Sequence, residues 1–137
     1  MADQDAASSR PVDAGPRYER GLAMRRKVLG AEYVDAALAA ADATTRPIQE
    51  FVTEYAWGAI WSRPGLDLRI RSLITLAMLV GIEKPQELRL HIGGALRNGC
   101  TPEEIRETLL HSSIYLGVPA ALSALAIAKE ALPPEPT

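Results

Sequence analysis

Pro85-Gln86-Glu87-Leu88-Arg89-Leu90-His91-Ile92-Gly93-Gly94-Ala95-Leu96-Arg97-Asn98-Gly99 is the stretch whose reading decides the fold. Proline suits the first turn of a helix and glycine the position just past its end. Between them Leu88, Ile92 and Ala95 recur at helical intervals and draw one apolar stripe. Glu87 and His91 stand four residues apart, so a helix stacks a carboxylate over an imidazole at the edge of that stripe. Such a neighbour can tune a histidine to exchange protons near neutral pH. The same spacing also serves as a plain structural ion pair on a half-buried helix.

Outward from this helix the pattern stays helical. Downstream, Thr101-Pro102-Glu103-Glu104 is a start signal: Thr101 caps, Pro102 takes the first turn, and Glu104 completes a capping box. That sixth helix runs to about Leu116, where Gly117-Val118-Pro119 breaks it. An alanine-rich seventh follows from about Pro119 to Leu132. Upstream, Asp67 is placed to cap a fourth helix reaching about Ile82. Its second half is apolar on nearly every face, so its own domain or another subunit must surround it. The turn Ser62-Arg63-Pro64-Gly65 separates it from a third helix, Pro47 to Trp61, which carries Glu50, Glu54, Trp57 and Trp61 on one face. Ala31 to Ala41 and Arg17 to Leu29 supply two more helices, parted by Gly30. No strand pattern or repeat appears. The fold class is all-α, six or seven short helices in one domain over residues 17–132, between a flexible tail at 1–16 and a proline-rich tail at 133–137.

Composition narrows the function classes. The chain has 137 residues, enough for one domain with a real core, and a formal charge of −2 with both signs interspersed. No basic patch points to nucleic acid. The longest apolar run, Leu73 to Ile82, is about half of what a bilayer requires, and the polar N-terminus lacks the apolar core of a secretion signal. The single cysteine, Cys100, excludes an internal disulfide and any paired-thiol redox motif. With two histidines and no His/Cys clustering, a dedicated metal site has little support. A soluble cytoplasmic protein is expected.

Several segments, in order and spacing, resemble the 4-carboxymuconolactone decarboxylase family. They are Glu54-Tyr55-Ala56-Trp57-Gly58, Trp61-Ser62-Arg63-Pro64-Gly65-Leu66, Arg71 to Leu79, Glu87-Leu88-Arg89-Leu90-His91, Arg97 to Glu107, and Ile114 to Ala121. Arg17 to Gly21 and Arg25 to Gly30 fit the family's opening, so the resemblance covers roughly 17–132. It implies an alkylhydroperoxidase-like all-α fold in an obligate homo-oligomer, a hexamer or trimer. It also implies a reaction without metal or organic cofactor: loss of carbon dioxide from 4-carboxymuconolactone, giving 3-oxoadipate enol-lactone in the protocatechuate (β-ketoadipate) pathway. Relatives that reduce peroxides carry two cysteines where this chain has Lys84 and Glu87, which argues against thiol peroxidase chemistry.

That reaction assigns roles. Decarboxylation leaves an electron pair that the conjugated lactone carbonyl takes up as a dienolate, which must then be protonated on carbon. His91 is the candidate acid, oriented and raised in pKa by Glu87. Arg71 is the candidate grip on a substrate carboxylate, since a guanidinium offers a planar two-point match; it could equally serve in an ordinary salt bridge. Trp57 and Trp61 could wall an apolar pocket or simply be core, with Glu54 and Ser72 as further substrate contacts. The small lactone carboxylate is then the only partner besides further copies of the chain, with no nucleic acid and no membrane. One departure stands out. After the histidine the family usually reads hydrophobe-Arg, whereas here Ile92 is followed by Gly93. This leaves open a relative acting on a different small lactone or acid, or a non-catalytic oligomeric binding protein.

Overall fold

The computed structural model describes residues 14–137; the expected tail at 1–16 lies outside them except for its last three positions. Among the described residues there are seven α-helices, one π-helix and no strand. They run α1 (Pro16–Leu29), α2 (Ala31–Ala39), α3 (Arg46–Phe51), a π-helix (Val52–Trp61), α4 (Leu68–Gly81), α5 (Pro85–Arg97), α6 (Pro102–Leu116) and α7 (Val118–Ala131). The all-α expectation holds, and most boundaries fall within a residue or two of the sequence signals. Within this helical stretch the chain divides into two compact units, one reaching Arg63 and one from Pro64 onward, at the turn between the π-helix and α4.

In the first unit, α1 packs against the π-helix with their backbones nearly touching. A Cβ added to Gly21 would lie 1.9 Å from the carbonyl oxygen of Thr53, and one added to Gly58 would lie 2.3 Å from that of Arg17. Only glycine permits this approach. The sequence predicts one α-helix from Pro47 to Trp61; instead α3 passes into ten residues of π-helix. Such widening is rare and recurs at functional sites. Hydroxyls take up main-chain oxygens at both ends: Thr53 Oγ1 donates to Gln49 O (2.7 Å) and Ser62 Oγ to Trp57 O (2.7 Å).

The second unit is built on the capping signals. Asp67 accepts from the Ile70 amide at 2.8 Å, and the Thr101–Glu104 capping box is complete. Its core gathers Leu76, Val80, Leu88, Ile92, Ile105 and Leu109, all fully buried or nearly so. Asn98 ties the end of α5 to α4, donating to Ser72 Oγ at 2.9 Å. Arg69 and Glu104 add an ion pair between α4 and α6 (2.6 Å), and Arg89 with Glu130 pairs α5 with α7. No described helix is long and apolar enough to cross a membrane.

Candidate active site

The second unit carries four of the nominated residues on two adjoining helices. Pro85 starts α5, and burial of Leu88, Ile92 and Ala95 fixes which way the helix faces. That orientation leaves His91 half-buried and Glu87 exposed. Burial pushes the imidazole pKa below its ordinary 6.5, while the Glu87 carboxylate pulls it back up. The expected tuning by Glu87 is therefore present in sign, but desolvation outweighs it, and His91 favours its neutral form. Arg71 and Ser72 are neighbours on α4, Arg71 half-buried and Ser72 fully buried. The Ser72 hydroxyl is occupied with Asn98, so it sets the register of the helix bearing Arg71 against the helix bearing His91. Sequence reasoning missed Asn98; the helix-stop context Asn98-Gly99 was its only signal.

The first unit carries the other three, all on the π-helix. Trp57 is buried and Trp61 half-buried; their rings stack with centroids 4.8 Å apart and planes 27° apart. Glu54 makes a loose 3.8 Å ion pair with Arg17, whose guanidinium also lies over the Tyr55 ring, 5.4 Å from its centroid. On α1, the buried Arg25 reaches the π-helix and α3 together. Nη1 donates to Thr53 Oγ1 (2.9 Å) and Nη2 to Gln49 Oε1 (2.8 Å). Nothing in the sequence separated Arg25 from its charged neighbours Arg26 and Lys27.

Two cavities open in the second unit. One of about 210 Å³ lies among Leu79, Val80, Lys84, Leu88, Ala124 and Ile127. A larger one of about 510 Å³ lies under the C-terminal tail, beside Arg106, Leu125, Lys129 and Pro133. None of the nominated residues lines either. Cys100 is buried, its thiol donating to Arg69 O at 3.4 Å, and burial pushes its pKa up, so it holds its proton. His111 is exposed and packs its ring on Tyr115 at 5.4 Å. Among the described residues no three His, Cys, Asp or Glu side chains gather as a metal site would require.

Residues 46–130, from α3 to the end of α7, match the model of the carboxymuconolactone decarboxylase family. The chain is 45% identical over 115 residues to the nitrosuccinic acid decarboxylase npaB of Metarhizium robertsii, covering 84% of this chain and 80% of that protein. It is 40% identical over 114 residues to the 4-carboxymuconolactone decarboxylase of Acinetobacter baylyi, covering 83% and 85%. An uncharacterized 15.0 kDa protein of Paracoccus denitrificans is 37% identical over 79 residues, covering 56% and 58%. The helical order, the His91 helix and these matches agree: the chain belongs to the carboxymuconolactone decarboxylase family.

Proposed function

We propose that this chain, a carboxy-lyase of its family, removes carbon dioxide from 4-carboxymuconolactone without metal or organic cofactor, in the protocatechuate branch of aromatic catabolism. The observation that carries the reading is His91. It is a titratable side chain held half out of water on a rigid helix, with a carboxylate one turn away. The likeness to the Acinetobacter baylyi decarboxylase over four fifths of both chains supports the substrate.

The chemistry follows from what such a side chain can do. The C–C bond to the departing carboxylate breaks, and its electron pair moves into the conjugated lactone carbonyl as a dienolate. A cation near the developing oxyanion lowers the barrier by a few kcal/mol, and Arg71 is the residue for that role or for holding a spare carboxylate. His91, as imidazolium, donates its proton to carbon and regains one from solvent. In the free protein burial disfavours imidazolium, so the proton arrives together with the anionic substrate, whose charge raises the histidine pKa. Ser72 is a further candidate contact in the second unit, as Glu54, Trp57 and Trp61 are in the first, and the working unit is a homo-oligomer in the cytoplasm.

A second reading is favoured by one observation. The 45% identical relative is a nitrosuccinic acid decarboxylase, in keeping with Gly93 at the position where the resemblance leads one to expect arginine. Nitrosuccinic acid also places a departing carboxylate beside an electron sink: the nitro group takes the pair as a nitronate, and carbon is then protonated. The same acid would serve both reactions.

Generating 4-carboxymuconolactone in situ and following its disappearance spectroscopically tests the first substrate, with nitrosuccinate run in parallel. The expected result is turnover unaffected by chelators and lost in His91→Ala, with helicity and oligomer size unchanged. Full activity in His91→Ala removes the acid assignment. Turnover of nitrosuccinate alone moves the protein to the second reading.

A further inference from the structure

The larger cavity, about 510 Å³, lies within the second unit, and no step of the decarboxylation uses it. Part of its lining is apolar: Ala128 and Leu132 are buried, and Leu125 is half-buried beside them. Two cations also line it, Arg106 from α6 and Lys129 from the last turn of α7. The segment that follows α7 closes it with Pro133, Pro134 and Glu135.

The chain itself shows which chemistry suits this space. Glu135 brings a carboxylate oxygen to 3.7 Å from Arg106 Nη2, and Glu103, one turn earlier on α6, stands 3.8 Å from Nη1. Both separations exceed a hydrogen bond, so the guanidinium attracts anions while its N–H donors stay available for closer contact. Lys129 has no acid within ion-pair range among the described residues. Of the three charged side chains lining the cavity two are positive, and the single acid belongs to the segment beyond α7. An exposed ion pair at this distance contributes little, so another carboxylate can take its place. Cavities of this size, with apolar walls and a few charged groups, suit small molecules.

We propose that the cavity binds a small organic acid with one carboxylate and a short apolar body. The carboxylate displaces Glu135 from Arg106 and is reached by the Lys129 ammonium. The apolar body lies over Leu125, Ala128 and Leu132 and takes their remaining surface out of water. Glu135 is thus an internal stand-in for the ligand, and residues 133–135 shift with occupancy. Leu132 belongs to the buried core, which confines that movement to the residues beyond it. No bond is made or broken, and none of these residues belongs to the decarboxylation proposed above.

The test titrates the full-length protein with hexanoate and follows proton–carbon and proton–nitrogen correlation spectra. Saturable shifts are expected at the Leu125 and Leu132 methyls and at the Glu135 amide. Arg106→Gln should weaken binding about fivefold, while Glu135→Gln, which removes the competing carboxylate, should tighten it about twofold to fivefold. Neither side chain is buried, and unchanged helical dichroism shows that each variant keeps its fold. Hexanamide keeps the chain and lacks the charge; acetate keeps the charge and lacks the chain. Each should bind about tenfold more weakly or worse, and sodium chloride at matched ionic strength should leave the spectra unmoved. No shift at these residues, or equal binding by Arg106→Gln, overturns the site. So does hexanamide or acetate binding as tightly as hexanoate. If Glu135→Gln binds no more tightly than the parent, the acid is not displaced and the proposal fails.

Discussion

The state of His91 is set by two opposed effects. Burial lowers its pKa below 6.5 and Glu87 opposes this. An acid works only while protonated, so kcat/KM should fall as pH rises through that lowered value, giving a descending limb below 6.5. The limb in kcat should lie higher, because bound anionic substrate favours imidazolium. Glu87→Gln removes the raising influence and should move the kcat/KM limb to still lower pH; an unmoved limb would show that Glu87 does not act through His91. Stability runs the opposite way with pH. Between 6.5 and the lowered value the unfolded chain binds the proton more readily, so the fold loses stability as pH falls through that window. Gly93 gives a second expectation. A Cβ there would meet only Nη1 of Arg97, at 3.3 Å, the far end of a flexible side chain. Gly93→Ala should therefore gain helix propensity and raise stability by about 0.5–1 kcal/mol in a denaturant titration. If turnover also falls, the Arg97 guanidinium lying over Gly93 contributes to substrate charge, and the substitution distinguishes packing from function.

Among the elements, those with local signals were legible and the one without was not. Asp67, Thr101, Glu104 and Gly117 announced helix ends through hydrogen bonds made within a few residues, and the structure makes or respects each. The His91 helix was legible for the same reason, its apolar stripe being local. The π-helix was not. Glu50, Glu54, Trp57 and Trp61 have α-helical spacing, and the widening is associated with contact to α1, thirty or more residues away in sequence. Arg25 was missed on the same grounds, since its burial depends on Gly21 and Gly58 letting two backbones meet. The consequence is measurable. Gly58→Ala would bring a Cβ to 2.3 Å from the Arg17 main-chain oxygen, and backbone cannot swing aside as a side chain does. It should cost about 3 kcal/mol or more, the top of the range for overpacking. Calorimetry should show the loss, and near-ultraviolet dichroism should report a disturbed Trp57–Trp61 stack. A variant as stable as the parent would mean that α1 and the π-helix separate at little cost.

At the scale of the whole molecule, the apolar surface of the second unit is larger than a solitary chain needs. Ile74 and Met78 on α4, and Ile82 just past its end, recur every four residues, with Met78 64% exposed. Ile114 and Tyr115 on α6 are 79% and 76% exposed, and Leu122 on α7 is also open. The sequence already required something to cover the second half of α4, and within the unit only part of it is covered. Large apolar side chains left this exposed point to interaction surfaces, and the occupant we propose is a second copy in a closed homo-oligomer. Closure makes such an assembly sensitive, because one substitution is repeated at every equivalent interface. Met78→Glu would bury a carboxylate without a partner at each, a cost of several kcal/mol that apolar contact cannot offset. Size exclusion with light scattering should show an oligomer for the parent and a smaller species for Met78→Glu, with helical dichroism retained. A parent chain that runs as a monomer at micromolar concentration would end the proposal. Turnover measured on the dissociated variant then decides whether His91 works within one chain or needs its neighbour.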